Sequence, residues 1–210
     1  MHLDKELDHL NQIILMMADN VKKNISDAFA NYGSNQSTVV IYDDIIDQYE
    51  RLVEEICLNI LLKERLYARD LRKVTGILKM VADLERIGDH AEDIMEANKK
   101  FETGLIHTEK MDEIVDVVIS MVNDSIMSYV KEDLTLAREV IDRDDIVDNA
   151  YDTFLQQIIS DLKEKDADAS LAIYTTIVVK YIERIADHAV NIAEWVIYIV
   201  SGFHKDKQIF

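Results

Sequence analysis

The sequence predicts an all-α fold, on two absences and one periodicity. Proline is missing from the 210 residues and there are only five glycines. Hairpin-rich folds need turn residues at short intervals, whereas long helices exclude both residue types from their interiors. Apolar residues recur at helical spacing almost throughout.

Each element follows from that spacing. A first helix runs from about Leu3 to Ala30, with Leu7, Leu10, Ile14, Met17, Val21 and Ile25 as its core face, and Asn31-Tyr32-Gly33-Ser34-Asn35 supplies the Gly and Asn of a left-handed cap. A second covers roughly Thr38 to Glu64 and a third Ala68 to about Lys99. Thr103-Gly104 breaks the pattern, and three more helices follow: Thr108 to Lys131, Leu134 to Lys163, and Asp166 to Val200. At ~1.5 Å per residue these are rods of roughly 35 to 50 Å, and short loops make antiparallel, spectrin-repeat-like bundles of them.

The chain also repeats itself. Leu84-Glu85-Arg86-Ile87-Gly88-Asp89-His90-Ala91 returns as Ile182-Glu183-Arg184-Ile185-Ala186-Asp187-His188-Ala189, identical at six of eight positions. Asp43-Asp44-Ile45-Ile46-Asp47 returns as Asp144-Asp145-Ile146-Val147-Asp148. Glu183 follows Glu85 by 98 residues and Asp145 follows Asp44 by 101, so one loop is three residues longer in the first half. Two matches in the same order predict a duplicated three-helix unit, residues 1–104 and 105–210, with the halves side by side about a pseudo-twofold axis.

Charge narrows the function. The net charge is -18, which argues against nucleic acid as a partner and against direct binding to anionic lipid, since both are held by clustered Lys and Arg. No run of 18 apolar residues occurs. The start Met1-His2-Leu3-Asp4-Lys5-Glu6 lacks a secretory layout, and the single cysteine, Cys57, sits in an apolar helical pattern as a reduced core residue. A cytoplasmic protein is the expectation.

The carboxylates carry the candidate chemistry. Residues four apart share a helix face, so Glu85, Asp89 and Asp93 form one acidic line, and Glu183, Asp187 and Asn191 the matching one. Asp44 with Asp47, and Asp145 with Asp148, lie one turn apart on the second and fifth helices. Like charges so spaced cost a few tenths of a kcal/mol per pair. Arg86 and Arg184 offset that cost in the plain structural reading. A metal is the second possibility: these ten positions offer oxygen ligands suited to Mg²⁺, Mn²⁺, Ca²⁺ or iron, and helices ~8–10 Å apart let two of them share an ion. Proton sharing at a catalytic site is the third.

His90 and His188 lie about 100° from the acid line and read as outer-sphere or inter-helix hydrogen-bonding groups. His2, His9, His107 and His204 support no assignment. Gly88, matched by Ala186, predicts close helix packing beside the acids. A di-iron bundle needs Glu-x-x-His pairs on two helices, and only Glu6 to His9 has that spacing. Phosphate-cradling loops, zinc-type cysteine sets and nucleophile elbows are absent. The expectation is not an enzyme, and the sequence shows no basic cradle for phosphate.

The two E-R-I-x-D-H-A segments, and the run from Tyr181 to Gly202 that ends in Trp195-Val196-Ile197-Tyr198-Ile199-Val200-Ser201-Gly202, resemble the PhoU family of phosphate-uptake regulators over the whole chain. The resemblance implies a PhoU-like fold, a cytoplasmic homodimer, and a negative regulator of phosphate uptake and of the phosphate-starvation response. Its partners would be the ATPase subunit of a phosphate ABC transporter and a sensor histidine kinase, with contact to the membrane only through them. Some members carry multinuclear metal sites, so divalent or trivalent ions are implied, with iron, zinc, manganese and magnesium as candidates. The family's E-x-x-x-D ligands fall on Glu85 and Asp89 and on Glu183 and Asp187, and its second-helix acids less directly on Asp44, Asp47, Asp145 and Asp148. Departures are Asp93 against Asn191, Gly88 against Ala186, and a missing proline before the third helix. A metal-storage or metal-sensing bundle is the alternative, and a carboxylate-dependent hydrolase a third.

Overall fold

A computed structural model describes residues 2–30, 43–100, 109–164, 168–205 and 207–208. Its elements are α1 (His2–Ala30), α2 (Asp43–Lys63), α3 (Ala68–Lys99), α4 (Glu109–Lys131), α5 (Leu134–Glu164), α6 (Ala169–Ser201), β1 (Phe203–His204) and β2 (Lys207–Gln208). The expected cap at 31–35, the break at Thr103-Gly104 and the expected starts of the second, fourth and sixth helices lie outside the described residues. The terminal β1–β2 hairpin, pairing Phe203 with Gln208 and His204 with Lys207, has no counterpart in the helical reading.

The helix ends follow local chemistry. The Asp168 carboxylate caps α6 by accepting from the Ser170 and Leu171 amides at 2.8 and 3.3 Å, and Asp133 does the same for α5 through Thr135 and Leu136. Gly202 ends α6 in the left-handed region (φ 84°), where its N–H reaches the Tyr198 carbonyl.

Helices α1–α3 pack on one another, as do α4–α6, and corresponding helices pair across the molecule: α3 with α6, most extensively, and α1 with α4. That pairing of like with like defines a pseudo-twofold arrangement. One hydrophobic cluster runs through both halves. It takes the expected face of α1, with Leu10, Ile14, Met17, Val21 and Ile25 buried and Leu7 partly so. Cys57 is fully buried and burial pushes its thiol up to about 12, as a reduced core residue requires.

Close contacts set the α3 position. A Cβ at Gly76 would run into the side chain of Ile199 on α6, and one at Gly88 would lie 2.9 Å from Ile46 Cδ1 on α2. The second repeat has Ala186 and Val147 at the positions of Gly88 and Ile46, both buried. The methyl added to one helix matches the methyl removed from the other, which keeps the spacing. Tyr129 donates to Asn11 between α4 and α1, and Glu132, in the α4–α5 turn, accepts from Arg69 and Lys73 of α3 at 3.2 and 3.0 Å.

Candidate functional site

Each repeat assembles a carboxylate cluster between its second and third helices. In the first, Asp47 and Glu50 of α2 face Glu85 and Asp89 of α3. Burial, and then the charges of Asp89, Glu50 and Asp47, push the Glu85 carboxyl up to about 7, although Arg86 works against them. Burial and the charges of Glu54, Asp47 and Asp89 raise Glu50 as well, again against Arg86. Arg86 spans the α3 pair, with Nε 3.4 Å from Glu85 and Nη1 2.8 Å from Asp89.

In the second repeat Asp144 and Asp148 of α5 face Glu183 and Asp187 of α6. Burial, followed by the charges of Asp148, Asp187, Glu183 and Asp145, pushes Asp144 up to about 6. Asp187 is raised by burial and Glu183, with Lys180 and Arg184 opposing. Lys180 Nζ donates to both Glu183 oxygens at 2.6 Å and sits 5.0 Å from the centre of the Tyr151 ring. The first repeat has Ala82 in place of Lys180 and Glu50 in place of Tyr151, so different cations offset the acids: Arg51 and Arg86 in the first, Lys180 and Arg184 in the second.

The structure thus brings together six of the ten positions picked from spacing: Asp47, Glu85 and Asp89 in one cluster, Asp148, Glu183 and Asp187 in the other. Asp44 is exposed and is not among the charges felt by Glu85 or Glu50. Asp145 is exposed and acts on Asp144 less than the other three acids do. Asp93 and Asn191 point elsewhere. Asp93 bonds Tyr181 and stands 3.6 Å from His90 Nδ1, and the Asn191 amide donates to Asp83 at 3.2 Å. The reason is helical phase: eight residues on from Glu85 or Glu183 is about 80° around the helix, not directly below it.

Two members were not picked from spacing. Asp144 lies three residues before buried Val147 and shares its side of α5, whereas Asp145 is about 200° from it. Glu50 lies one turn beyond Asp47. The phase of the buried residues was the available signal for both.

Between the clusters, α3 and α6 meet through matched residues. His90 and His188 have ring centroids 5.5 Å apart, and His90 stacks on Tyr181 at 5.4 Å. Across the axis from Tyr181 stands Asp83, whose Oδ1 lies 2.8 Å from His188 Nδ1. His188 is therefore an inter-helix hydrogen-bonding group, while His90 Nδ1, 3.6 Å from Asp93 Oδ2, has no hydrogen-bond partner among the described residues.

For a metal, the donor set is one of hard oxygens, and Asp144 Oδ1 is buried without a hydrogen-bond partner among the described residues, as an unfilled ligand would be. Among the described residues, however, no three acidic, His or Cys side chains already converge closely enough to hold an ion. The donors suit a cation in chemistry, and as they stand they do not form a ligand sphere. Among the described residues no helix is long and apolar enough to cross a membrane.

Fold and site together define a class: a duplicated three-helix bundle with a carboxylate cluster in each repeat. The family model described as PhoU domain matches residues 3–97 and again 111–196. The chain is 33% identical over 97% of its length to the phosphate-specific transport system accessory protein PhoU homolog of Clostridium acetobutylicum, covering 96% of it. It superposes on the crystal structure of PhoU from Pseudomonas aeruginosa with a TM-score of 0.90 at 33% identity, covering 95% of this chain and 99% of that one. The phosphate transport system regulatory protein PhoU from Streptococcus pneumoniae also gives 0.90, at 25% identity, over 98% and 100% of the two chains. The chain belongs to the PhoU family.

Proposed function

We propose that this protein is an accessory regulator of phosphate transport that restrains phosphate uptake and the phosphate-starvation response. In this reading it is a cytoplasmic, homodimeric, metal-bearing adaptor, not an enzyme, between the ATPase subunit of a phosphate ABC transporter and a sensor histidine kinase. The observation that carries the reading is likeness along the whole chain to proteins named as accessory to phosphate-specific transport.

The carboxylates give the adaptor its metal. Asp47, Glu50, Glu85 and Asp89 would hold ions in the first repeat, and Asp144, Asp148, Glu183 and Asp187 in the second. A bound cation supplies positive charge that joins two helices whose acids otherwise repel. The chain's own residues set its surroundings: Arg86 and Lys180 neutralise part of each cluster, and Ile46, Gly88, Val147 and Ala186 fix the helix spacing.

The test is binding of the purified, metal-loaded protein to the purified transporter ATPase subunit and to the kinase's cytoplasmic portion. Saturable binding to either supports the adaptor reading. Absence of binding to both, at high concentration and with metal supplied, contradicts it. Metal content that follows metal supply and ignores phosphate supply would favour the storage bundle instead.

A further inference from the structure

We propose that a cavity between α3, α6 and the C-terminal hairpin is a binding site for inorganic phosphate in its protonated form, held by Lys79, Arg86 and Lys205 and selected by Asp83. The cavity measures about 300 Å³ and is lined by Lys79, Ala82, Asp83, Arg86, Asn191, Trp195, His204 and Lys205. In a chain of net charge -18, the hollow gathers three cations and a histidine beside one carboxylate, Asp83. Arg86 is paired with Glu85 and Asp89 and Lys205 with Glu194, so an incoming anion competes with those acids for two of the three cations. The cradle is invisible in the sequence because its cations come from one helix and from a hairpin more than a hundred residues away.

The charges are unevenly committed. Lys79 is exposed and has no hydrogen-bond or ion-pair partner among the described residues. Arg86 uses Nε and Nη1 toward Glu85 and Asp89, which leaves its second terminal nitrogen to donate. Lys205 Nζ stands 3.0 Å from Glu194 Oε2, off the hydrogen-bonding direction. His204 stacks flat on Trp195, with centroids 3.9 Å apart and an 11° tilt, and its buried Nδ1 has no hydrogen-bond partner among the described residues. Lys205 also adopts φ 48°, a left-handed conformation that costs a non-glycine residue roughly 1 kcal/mol. The two-residue connection between β1 and β2 calls for it.

Asp83 decides which anion fits. Its Oδ1 takes His188 and Asn191, and its Oδ2 has no hydrogen-bond partner among the described residues. A free carboxylate oxygen repels a bare oxyanion but accepts from one that carries an O–H. Inorganic phosphate keeps a proton at neutral pH. Sulfate has none, and a phosphate monoester has mostly lost its own by then, with a second pKa near ~6. A site built around such a donor rejects analogues without it.

Equilibrium dialysis of chelator-treated protein with radiolabelled inorganic phosphate tests this, independently of any metal at the carboxylate clusters. The expected result is saturable binding of one phosphate per chain, with sulfate and glycerol 3-phosphate competing at least about tenfold more weakly. Lys79→Ala and Lys205→Gly should each weaken binding by about tenfold or more, since each removes a charge-assisted contact. Lys205→Gly relieves the left-handed strain, so its loss of binding cannot be assigned to unfolding. Lys131→Ala/Arg138→Ala, exposed residues elsewhere, should bind as the parent does. Asp83→Asn should let sulfate compete. No saturable binding up to ~10 mM phosphate, binding that survives both pocket variants, or equal competition by sulfate would overturn the proposal. Trp195, the one tryptophan in the chain, gives a fluorescence signal from the same cavity.

Discussion

Lys180 grips both oxygens of Glu183 at 2.6 Å, and the first repeat has Ala82 where this lysine stands. The second cluster thus has its Glu183 clamped by a lysine, whereas in the first the counter-ion is Arg86, shared between Glu85 and Asp89. Lys180→Ala should raise affinity at the second about three- to tenfold, because it frees Glu183 and removes a like charge from the ion. Calorimetric titration with Mn²⁺ measures both affinities, and an unchanged or weaker second site would contradict the assignment.

Gly88 and Ile46 are fitted to one another. Gly88→Ala places a methyl 2.9 Å from Ile46 Cδ1 and should destabilise the protein by about 1–3 kcal/mol, as overpacking does. Gly88→Ala/Ile46→Val reproduces the Ala186 and Val147 pair of the second repeat and should recover most of that loss. Urea unfolding of the two variants decides it.

Without metal, stability should fall as pH rises from about 5 to 8. Glu85 is raised from 4.5 to about 7 and Asp144 from 3.8 to about 6, so the folded chain holds these protons more tightly than the unfolded chain. Their contribution is full below the unfolded values and lost as pH passes through the folded ones. Glu132, lowered first by its hydrogen bond from Lys73, acts oppositely in the acid range below this window. His90, lowered first by burial, acts oppositely within it, one group against the four raised carboxyls Glu50, Glu85, Asp144 and Asp187. Thermal melts in chelator across pH 5 to 8 should show the decline, and a saturating divalent cation should flatten it. A melting temperature that rises over that range would refute the clusters' mutual repulsion.

Asn24 is fully buried, and neither its Oδ1 nor its Nδ2 has a hydrogen-bond partner among the described residues. Leucine has the same number of side-chain heavy atoms and no polar group to desolvate. Asn24→Leu should stabilise the fold by about 1–2 kcal/mol. A destabilised variant would mean that ordered water satisfies the amide.

The fold was legible because its signals are long. Helices of 21 to 33 residues repeat an apolar period enough times to settle their phase, and the duplicated segments supplied the pairing of halves. The site was half legible. Glu85, Asp89, Glu183 and Asp187 follow from i,i+4 spacing on single helices. Asp144 in place of Asp145 depends on which side of α5 is buried, and the turning away of Asp93 on α3 and Asn191 on α6 on the roughly 80° that eight residues accumulate, and i,i+4 counting alone passes over both. His204, assigned no role by its position in the chain, is placed by a two-residue hairpin too short to leave a periodic signal.

The most direct test of the twin clusters as metal sites is elemental analysis of protein purified without chelators or an affinity metal column, compared with Glu85→Gln/Asp89→Asn and Glu183→Gln/Asp187→Asn. The account predicts bound metal in the parent, part of it lost in each double variant and all of it lost when the two are combined. Metal-free parent protein, even after incubation with Mg²⁺, Mn²⁺, Fe²⁺ and Zn²⁺, or metal that survives the combined substitutions, would contradict it.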